Sequence, residues 1–183
     1  VTEILAAVGL TRDYRHTDER YSQIGRAAHQ AVAWHAEGVL DEATIHPDVR
    51  PGLDAYLEFV EQAHHIPLVL SESPRMLASE LEMVHPGLGC VAHLDRVGSL
   101  GEVETALIDW KYSDSPDLKG ARYQLAGYRL IWDYLYPEQP IQACVVVQLK
   151  KDGTPRVHHL TDDYAMQVFT AALIVERAKG RSS

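Results

Sequence analysis

The chain has 183 residues, with 26 acidic and 17 basic side chains and a formal charge of −9, a balance that argues against a protein coating nucleic acid over its whole surface. It is long enough to bury a sizeable core, most simply as a single domain over 1–183. No apolar run is long enough to span a bilayer and no basic-then-apolar leader opens the chain, so a soluble, cytoplasmic protein is expected, with Val1 reading as a trimmed or mid-protein start.

The first expected element is a short helix over 2–8, with Thr2 as N-cap and Gly9 as stop. A polar loop over 11–20, rich in arginine and aspartate, leads into a second helix. From 17 or 18 to 37, Ile24, Ala27, Ala28, Ala31, Val32 and His35 recur at three and four residues, and Gly38 ends the pattern. A further helix is expected over 47–64, with Leu53, Tyr56, Leu57 and Val60 on one face. Residues 1–66 therefore form a helical N-terminal part.

After Pro67 the texture changes to strands. Runs over 68–70, 77–84, 90–97 and 104–112 are separated by Ser-Pro, Pro-Gly and Gly-Ser-Leu-Gly punctuation, a meander of mainly antiparallel strands. A polar loop over 113–116 precedes a helix over 117–136 that Pro137 ends. The apolar run 141–149 reads as a buried strand, and the turn 151–154 leads to a strand over 156–160. Thr161 or Asp162 caps a last helix reaching about Lys179. The order defines an α/β protein whose 67–183 part is a mixed central β-sheet flanked by helices.

Cys90 and Cys144 each stand within an apolar strand-like run, which favours buried free thiols over a disulfide framework or a zinc site. An iron–sulfur cluster normally takes four cysteine ligands, so none is expected. The basic residues gather unevenly: Arg12, Arg15, Arg20 and Arg26, then Lys119, Arg122 and Arg129, then Lys150, Lys151 and Arg156. A local basic groove on an acidic protein stays open.

The chemistry-bearing residues lie in the strands. Glu80 and Glu82 alternate with Leu81 and Met83, a pattern that also suits a plain solvated sheet face. In the next strand Val91, His93, Asp95 and Val97 share one face, and Ala92, Leu94 and Arg96 the other. In the third, Ala106, Ile108, Trp110 and Tyr112 oppose Leu107, Asp109 and Lys111. A carboxylate and an ammonium on one face of an apolar strand either form a structural salt bridge or serve a site, since burying both costs several kcal/mol per ion. Carboxylates on neighbouring strands chelate a hard divalent cation such as Mg²⁺ or Mn²⁺, and a lysine beside them orients water and counters phosphate charge, the combination that phosphodiester hydrolysis needs.

Asp95, a short hairpin and then Ile108-Asp109-Trp110-Lys111 resemble the signature of the PD-(D/E)xK nuclease superfamily. Gly25-Arg26-Ala27-Ala28-His29 is similar to the G-x-x-x-H helix motif of its RecB-like and phage-exonuclease branch, and Gln124-Leu125-Ala126-Gly127-Tyr128 to its Q-L-x-x-Y motif. Glu80 falls where that branch often has its first acidic residue. The resemblance spans nearly the whole chain and implies a restriction-endonuclease-like core. It departs in two places: His93-Leu94 replaces the usual Gly-Thr-like pair before the first aspartate, putting His93 on the side of Asp95, and the branch's iron–sulfur cysteines are missing.

Carried onto these residues, the resemblance implies that His29, Asp95 and Asp109 bind the metal, with the Trp110 carbonyl as a further ligand and Glu80 holding a metal-bound water or a second cation. Lys111 would position the attacking water and stabilise charge on the phosphorane, and Gln124 would orient Lys111 or a phosphate oxygen. Tyr128 lies one turn on, packing against or hydrogen-bonding the site. Arg20, Arg26, Arg122 and Tyr128 are the candidates for substrate contact. The implied activity is a Mg²⁺- or Mn²⁺-dependent deoxyribonuclease of a bacterial or phage-infected cell. It would act on DNA, with linear ends favoured, and leave a 5′-phosphate. A homo-oligomer and a partner in recombination or phage replication stay open. The alternatives are a silent, nuclease-like DNA-binding or scaffold subunit and a nuclease for RNA or branched DNA.

Overall fold

A computed structural model describes residues 1–11, 19–65 and 79–180. The expected strand over 68–70, the start of the second helix at Thr17 or Asp18, Arg12, Arg15 and His16 all lie outside them. Five strands form one sheet in sequence order: β1 (Ser79–His85), β2 (Cys90–Leu100), β3 (Val103–Tyr112), β4 (Ala143–Leu149) and β5 (Pro155–His159). Strands β1, β2 and β3 are an antiparallel meander, β4 runs parallel to β3, and β5 returns antiparallel to β4. A parallel neighbour requires a crossover, and α4 (Leu118–Leu135) supplies it. The mixed sheet expected from the sequence is present. Strand β4 is buried on both faces, which is why its Cys-Val-Val-Val-Gln-Leu run shows no alternation.

Helices cover both faces. On one side α2 (Glu19–Ala36) and α3 (Arg50–Ala63) place Val32, Leu53, Tyr56 and Phe59 against Ala106, Ile108 and Trp110 of β3 and the odd-numbered residues of β4. On the other, α4 lays Ala121, Leu125, Tyr128 and Trp132 over Leu81, Leu94, Leu107 and Val146. The back of α4 is covered in turn by α1 (Thr2–Ala7) and α5 (Asp163–Gly180), through Leu5, Tyr123, Ala165 and Phe169. Among the described residues no helix is long and apolar enough to cross a membrane.

Local signals explain most boundaries. Asp117 accepts a hydrogen bond from the Gly120 amide at 3.1 Å and starts α4, and Asp162 accepts from Tyr164 at the head of α5. Thr161 instead receives the Cys144 amide at 2.8 Å. At α1 the expectation fails: the N-cap is Val1, without a side-chain cap, and Thr2 is the first helical residue. The Val1 amino group donates to the Val91 carbonyl at 2.7 Å, tying the chain start to β2. Helix α3 begins at Arg50 rather than at 47, since a 3₁₀ turn over Glu42–Thr44 and the His46–Val49 turn use the preceding backbone. Both cysteines are buried free thiols.

The α4–α5 contact is closest at Gly127, where a Cβ would stand 2.8 Å from Phe169 Cε2 and 2.9 Å from Val1 Cγ1. Phe169 is fully buried and has no room to yield. Overpacking of this kind costs roughly 1–3 kcal/mol, against about 1 kcal/mol gained from helix propensity. Gly127→Ala is therefore expected to lower stability by about 1 kcal/mol and the melting temperature by roughly 2–4 °C. A raised melting temperature would show that the two helices separate freely.

His65, just beyond α3, is 5% exposed, and its Nδ1 lies 2.7 Å from the Ser99 carbonyl while Nε2 has no partner. Burial, with a smaller contribution from the Arg96 charge, depresses its pKa to about 4. The fold holds the imidazole neutral, so the unfolded chain binds the extra proton between about pH 6.5 and 4, and stability falls as pH drops through that window. The shift is equivalent to about 3 kcal/mol. Urea unfolding of the wild type and His65→Gln at pH 7, 5.5 and 4.5 should show a shallower decline in the variant; parallel declines would remove His65 as the cause.

Candidate metal centre

The site forms where the β2–β3 ladder opens. In β3 the alternation is regular, so Ala106, Ile108 and Trp110 enter the α3 side while Leu107, Asp109 and Lys111 face α4. Trp110 is buried edge-on against Tyr56 and Phe59, 5.4 and 5.5 Å between ring centroids, and anchors the strand from behind. In β2 the alternation breaks. Leu94 and Val97, three positions apart, both join the α4-side core, and Arg96 turns to the opposite side, beside Tyr56. The β2–β3 register runs through Val97↔Leu107 and Arg96↔Ile108. At the next position the Asp95 side chain replaces a backbone rung, its Oδ2 accepting the Trp110 amide at 2.8 Å.

This irregularity corrects the strict face assignment in β2. His93 does not accompany Asp95: its side chain is 70% exposed and faces Glu82 at 3.6 Å, whereas that of Asp95 is 13% exposed. Arg96 likewise does not share the surroundings of Ala92 and Leu94.

Three other elements, α2, β1 and β3, converge on Asp95. Helix α2 brings His29, whose Nδ1 is 3.5 Å from Asp95 Oδ2. Strand β1 brings Glu80 in left-handed backbone, φ 48°, a conformation that non-glycine residues rarely adopt. One ligand atom from each of His29, Glu80 and Asp95 lies within 4.8 Å of the others, a group that could hold a metal ion. Asp109, 2% exposed, stands beside them with Lys111 Nζ at 2.9 Å from Oδ1 and 2.8 Å from Oδ2. Only the Oδ1 contact has hydrogen-bond geometry, so Oδ2 is a buried oxygen without a hydrogen bond. The carboxylate oxygens of Glu80 and Asp95 and the His29 imidazole are a donor set that fits a hard divalent cation.

The electrostatics are those of a cluster balanced without a metal. Burial works against an imidazolium at His29, but Asp95 and then Asp109 overcome it and raise its pKa to about 9. Burial alone would raise Asp95; His29, Lys111 and the Trp110 amide outweigh it and hold the carboxyl below its usual range. Loss of hydration and the neighbouring Asp95 push Glu80 up to about 7. Lys111 stays charged: burial is offset by Asp109 and Asp95. The two cations, His29 and Lys111, offset the negative charge of Asp95 and Asp109.

The other sequence candidates divide. Gln124 Nε2 donates to Tyr128 Oη at 2.8 Å and reaches Asp109 Oδ1 at 3.4 Å, so the amide addresses Asp109 rather than Lys111. His29, Glu80, Lys111, Gln124 and Arg26 all line one cavity of about 810 Å³, open to solvent. Arg20 lines a neighbouring cavity and pairs with Asp48 at 3.0 Å. Arg122 lies outside both linings, in an ion pair with Asp162. Arg96 escaped sequence reasoning: it is fully buried, with none of its guanidinium nitrogens in a good hydrogen bond, and its charge faces Tyr56, Glu80 and Asp95. An arginine inside an apolar strand next to a candidate ligand was the available signal.

Fold and site together define an α/β protein with a five-stranded mixed sheet flanked by helices and a His/Glu/Asp group at the opening of its central strands. No family model and no curated protein matches the chain. Among solved structures it is similar to a protein from Eubacterium rectale named "Putative exonuclease", with a TM-score of 0.54 and 14% identity over 96% of this chain and 70% of that one. At that identity the likeness is one of fold.

Proposed function

We propose that the protein is a metal-dependent deoxyribonuclease of the PD-(D/E)xK superfamily, of the RecB-like and phage-exonuclease kind, acting on linear DNA. The observation that carries this is the grouping of His29, Glu80 and Asp95 within 4.8 Å beside the Asp109–Lys111 pair, with His29, Glu80 and Lys111 on the wall of an open cavity and the two aspartates behind it. A bound Mg²⁺ or Mn²⁺ would supply Lewis-acid polarisation of the phosphoryl group and a more acidic water. His29, Glu80 and Asp95 would hold that ion, with Asp109 beside them as a further carboxylate. Lys111, which lines the cavity beside Asp109, would orient the water and stabilise negative charge on the phosphoryl oxygens. Gln124 fixes the Asp109 carboxylate, and Tyr128 fixes Gln124. The exonuclease-named fold relative and the sequence motifs around His29 and Gln124 support the same reading.

The test incubates end-labelled linear and closed circular DNA with Mg²⁺ or Mn²⁺, using the wild type and the Lys111→Ala and Asp109→Ala variants. Digestion of linear DNA by the wild type alone supports an exonuclease. Cutting of the closed circle indicates an endonuclease. Equal residual activity in all three proteins would sink the assignment.

A further inference from the structure

A second cavity of about 480 Å³ adjoins the first, and Tyr112 and Ser113, the residues following Lys111, line both. Its outer wall is Tyr21 of α2, 60% exposed, with Lys151 Nζ over the ring at 5.1 Å from the centroid. Its floor is rigid: the Tyr112 hydroxyl donates to the Asp48 carbonyl at 2.7 Å, and Pro47 and Pro51 flank that residue. An exposed aromatic ring beside a cation, at the rim of a cleft that adjoins the cavity of His29, Glu80 and Lys111, is an arrangement suited to an unpaired base and its phosphate.

We infer that this second cavity is a nucleotide subsite for single-stranded DNA, in which a base stacks on Tyr21 and Lys151 meets the adjoining phosphate. The inference rests on the nuclease reading only for the identity of the strand; the cavity, ring and cation stand without it. Duplex DNA presents its bases edge-on and offers no free face to a tyrosine, so a separated strand is the form the ring selects. The local charge is nearly balanced, because Arg20 pairs with Asp48 at 3.0 Å and Lys151 approaches Asp114 at 3.9 Å. Stacking therefore carries more of the affinity here than phosphate attraction, and the contribution of Tyr21 should persist at high salt.

The experiment measures fluorescence anisotropy of a labelled thymidine 12-mer in EDTA, where nothing is cut, at low and high salt. Tyr21→Ala should weaken binding about tenfold at both, Tyr21→Trp should restore it, and Lys151→Ala should weaken it less. Tyr164→Ala, an exposed tyrosine of α5 outside both cavities, serves as the control and should bind like the wild type. Unchanged affinity in Tyr21→Ala, an equal loss in Tyr164→Ala, or no binding by the wild type would overturn the inference. Wild-type hydrolysis of a small chromogenic phosphodiester with Mn²⁺ tests the nuclease reading separately. Hydrolysis with no Tyr21 effect removes the subsite alone; a Tyr21 effect without hydrolysis removes the nuclease reading and leaves the subsite.

Discussion

Lys111→Ala should lower the rate of DNA hydrolysis by about a thousandfold while leaving the protein able to bind Mn²⁺. The rate loss follows from removing one preorganised charged donor aimed at the phosphoryl oxygens, an effect on the order of 10²–10³ in such sites. Retained binding follows from the contacts. Lys111 Nζ sits 2.8 Å from Asp109 Oδ2, so in the metal-free protein it competes with a cation for that carboxylate. Without it the mutual repulsion of Asp109 and Asp95 loses one of the cations that offset it, and the metal-free form is penalised. The rise in melting temperature on adding Mn²⁺ should therefore be larger in Lys111→Ala than in the wild type. A variant that keeps its activity, or loses activity and its metal response together, would show that Lys111 is there for structure.

Asp109→Ala should behave in the opposite way. On the proposed ligand set it should abolish hydrolysis and shrink the melting shift with Mn²⁺, because a buried carboxylate beside the His29, Glu80 and Asp95 group is gone. It also strands Lys111. Breaking a fully buried pair costs roughly 3–5 kcal/mol; the 28% exposure of the Lys111 side chain and its residual attraction to Asp95 reduce this to about 2–3 kcal/mol. Asp109→Asn, which keeps the side-chain volume and an acceptor for Lys111, should recover part of that stability without recovering activity. Thermal melts with and without Mn²⁺ on the three proteins separate these effects. A stable, active Asp109→Ala protein would exclude the carboxylate from the centre.

The fold was legible because its signals are periodic. Leu107, Asp109 and Lys111 alternate with Ile108 and Trp110, the α4 stretch is bounded by Asp117 and Pro137, and the unbroken apolar run of β4 announces a strand covered on both faces. What strict alternation could not convey was a departure from it. The step between Leu94 and Val97 turns Asp95 inward, away from the outward face of Val91 and His93, and no residue type there announces the change. The left-handed backbone at Glu80 is equally silent, since glutamate is not a residue that marks such a turn. Strict alternation puts Arg96 with Ala92 and Leu94, whereas it lies fully buried on the opposite side, beside Tyr56. The cavity rim at Tyr21 and Lys151 joins residues from opposite ends of the chain, and only tertiary structure brings them together.

Asp95 does two kinds of work with one carboxylate. Its Oδ2 stands near His29 at the metal-binding group and also accepts the Trp110 amide at 2.8 Å in place of a strand rung. The two demands would separate under drift. On the nuclease reading, a descendant released from selection for cleavage could replace the exposed Glu80 with little consequence for its sheet, whereas replacing Asp95 would leave a buried amide bare in the central strand. Such descendants should therefore retain Asp95 long after Glu80 has gone, and an aspartate surviving alone at this position is a mark of shared architecture rather than of surviving chemistry.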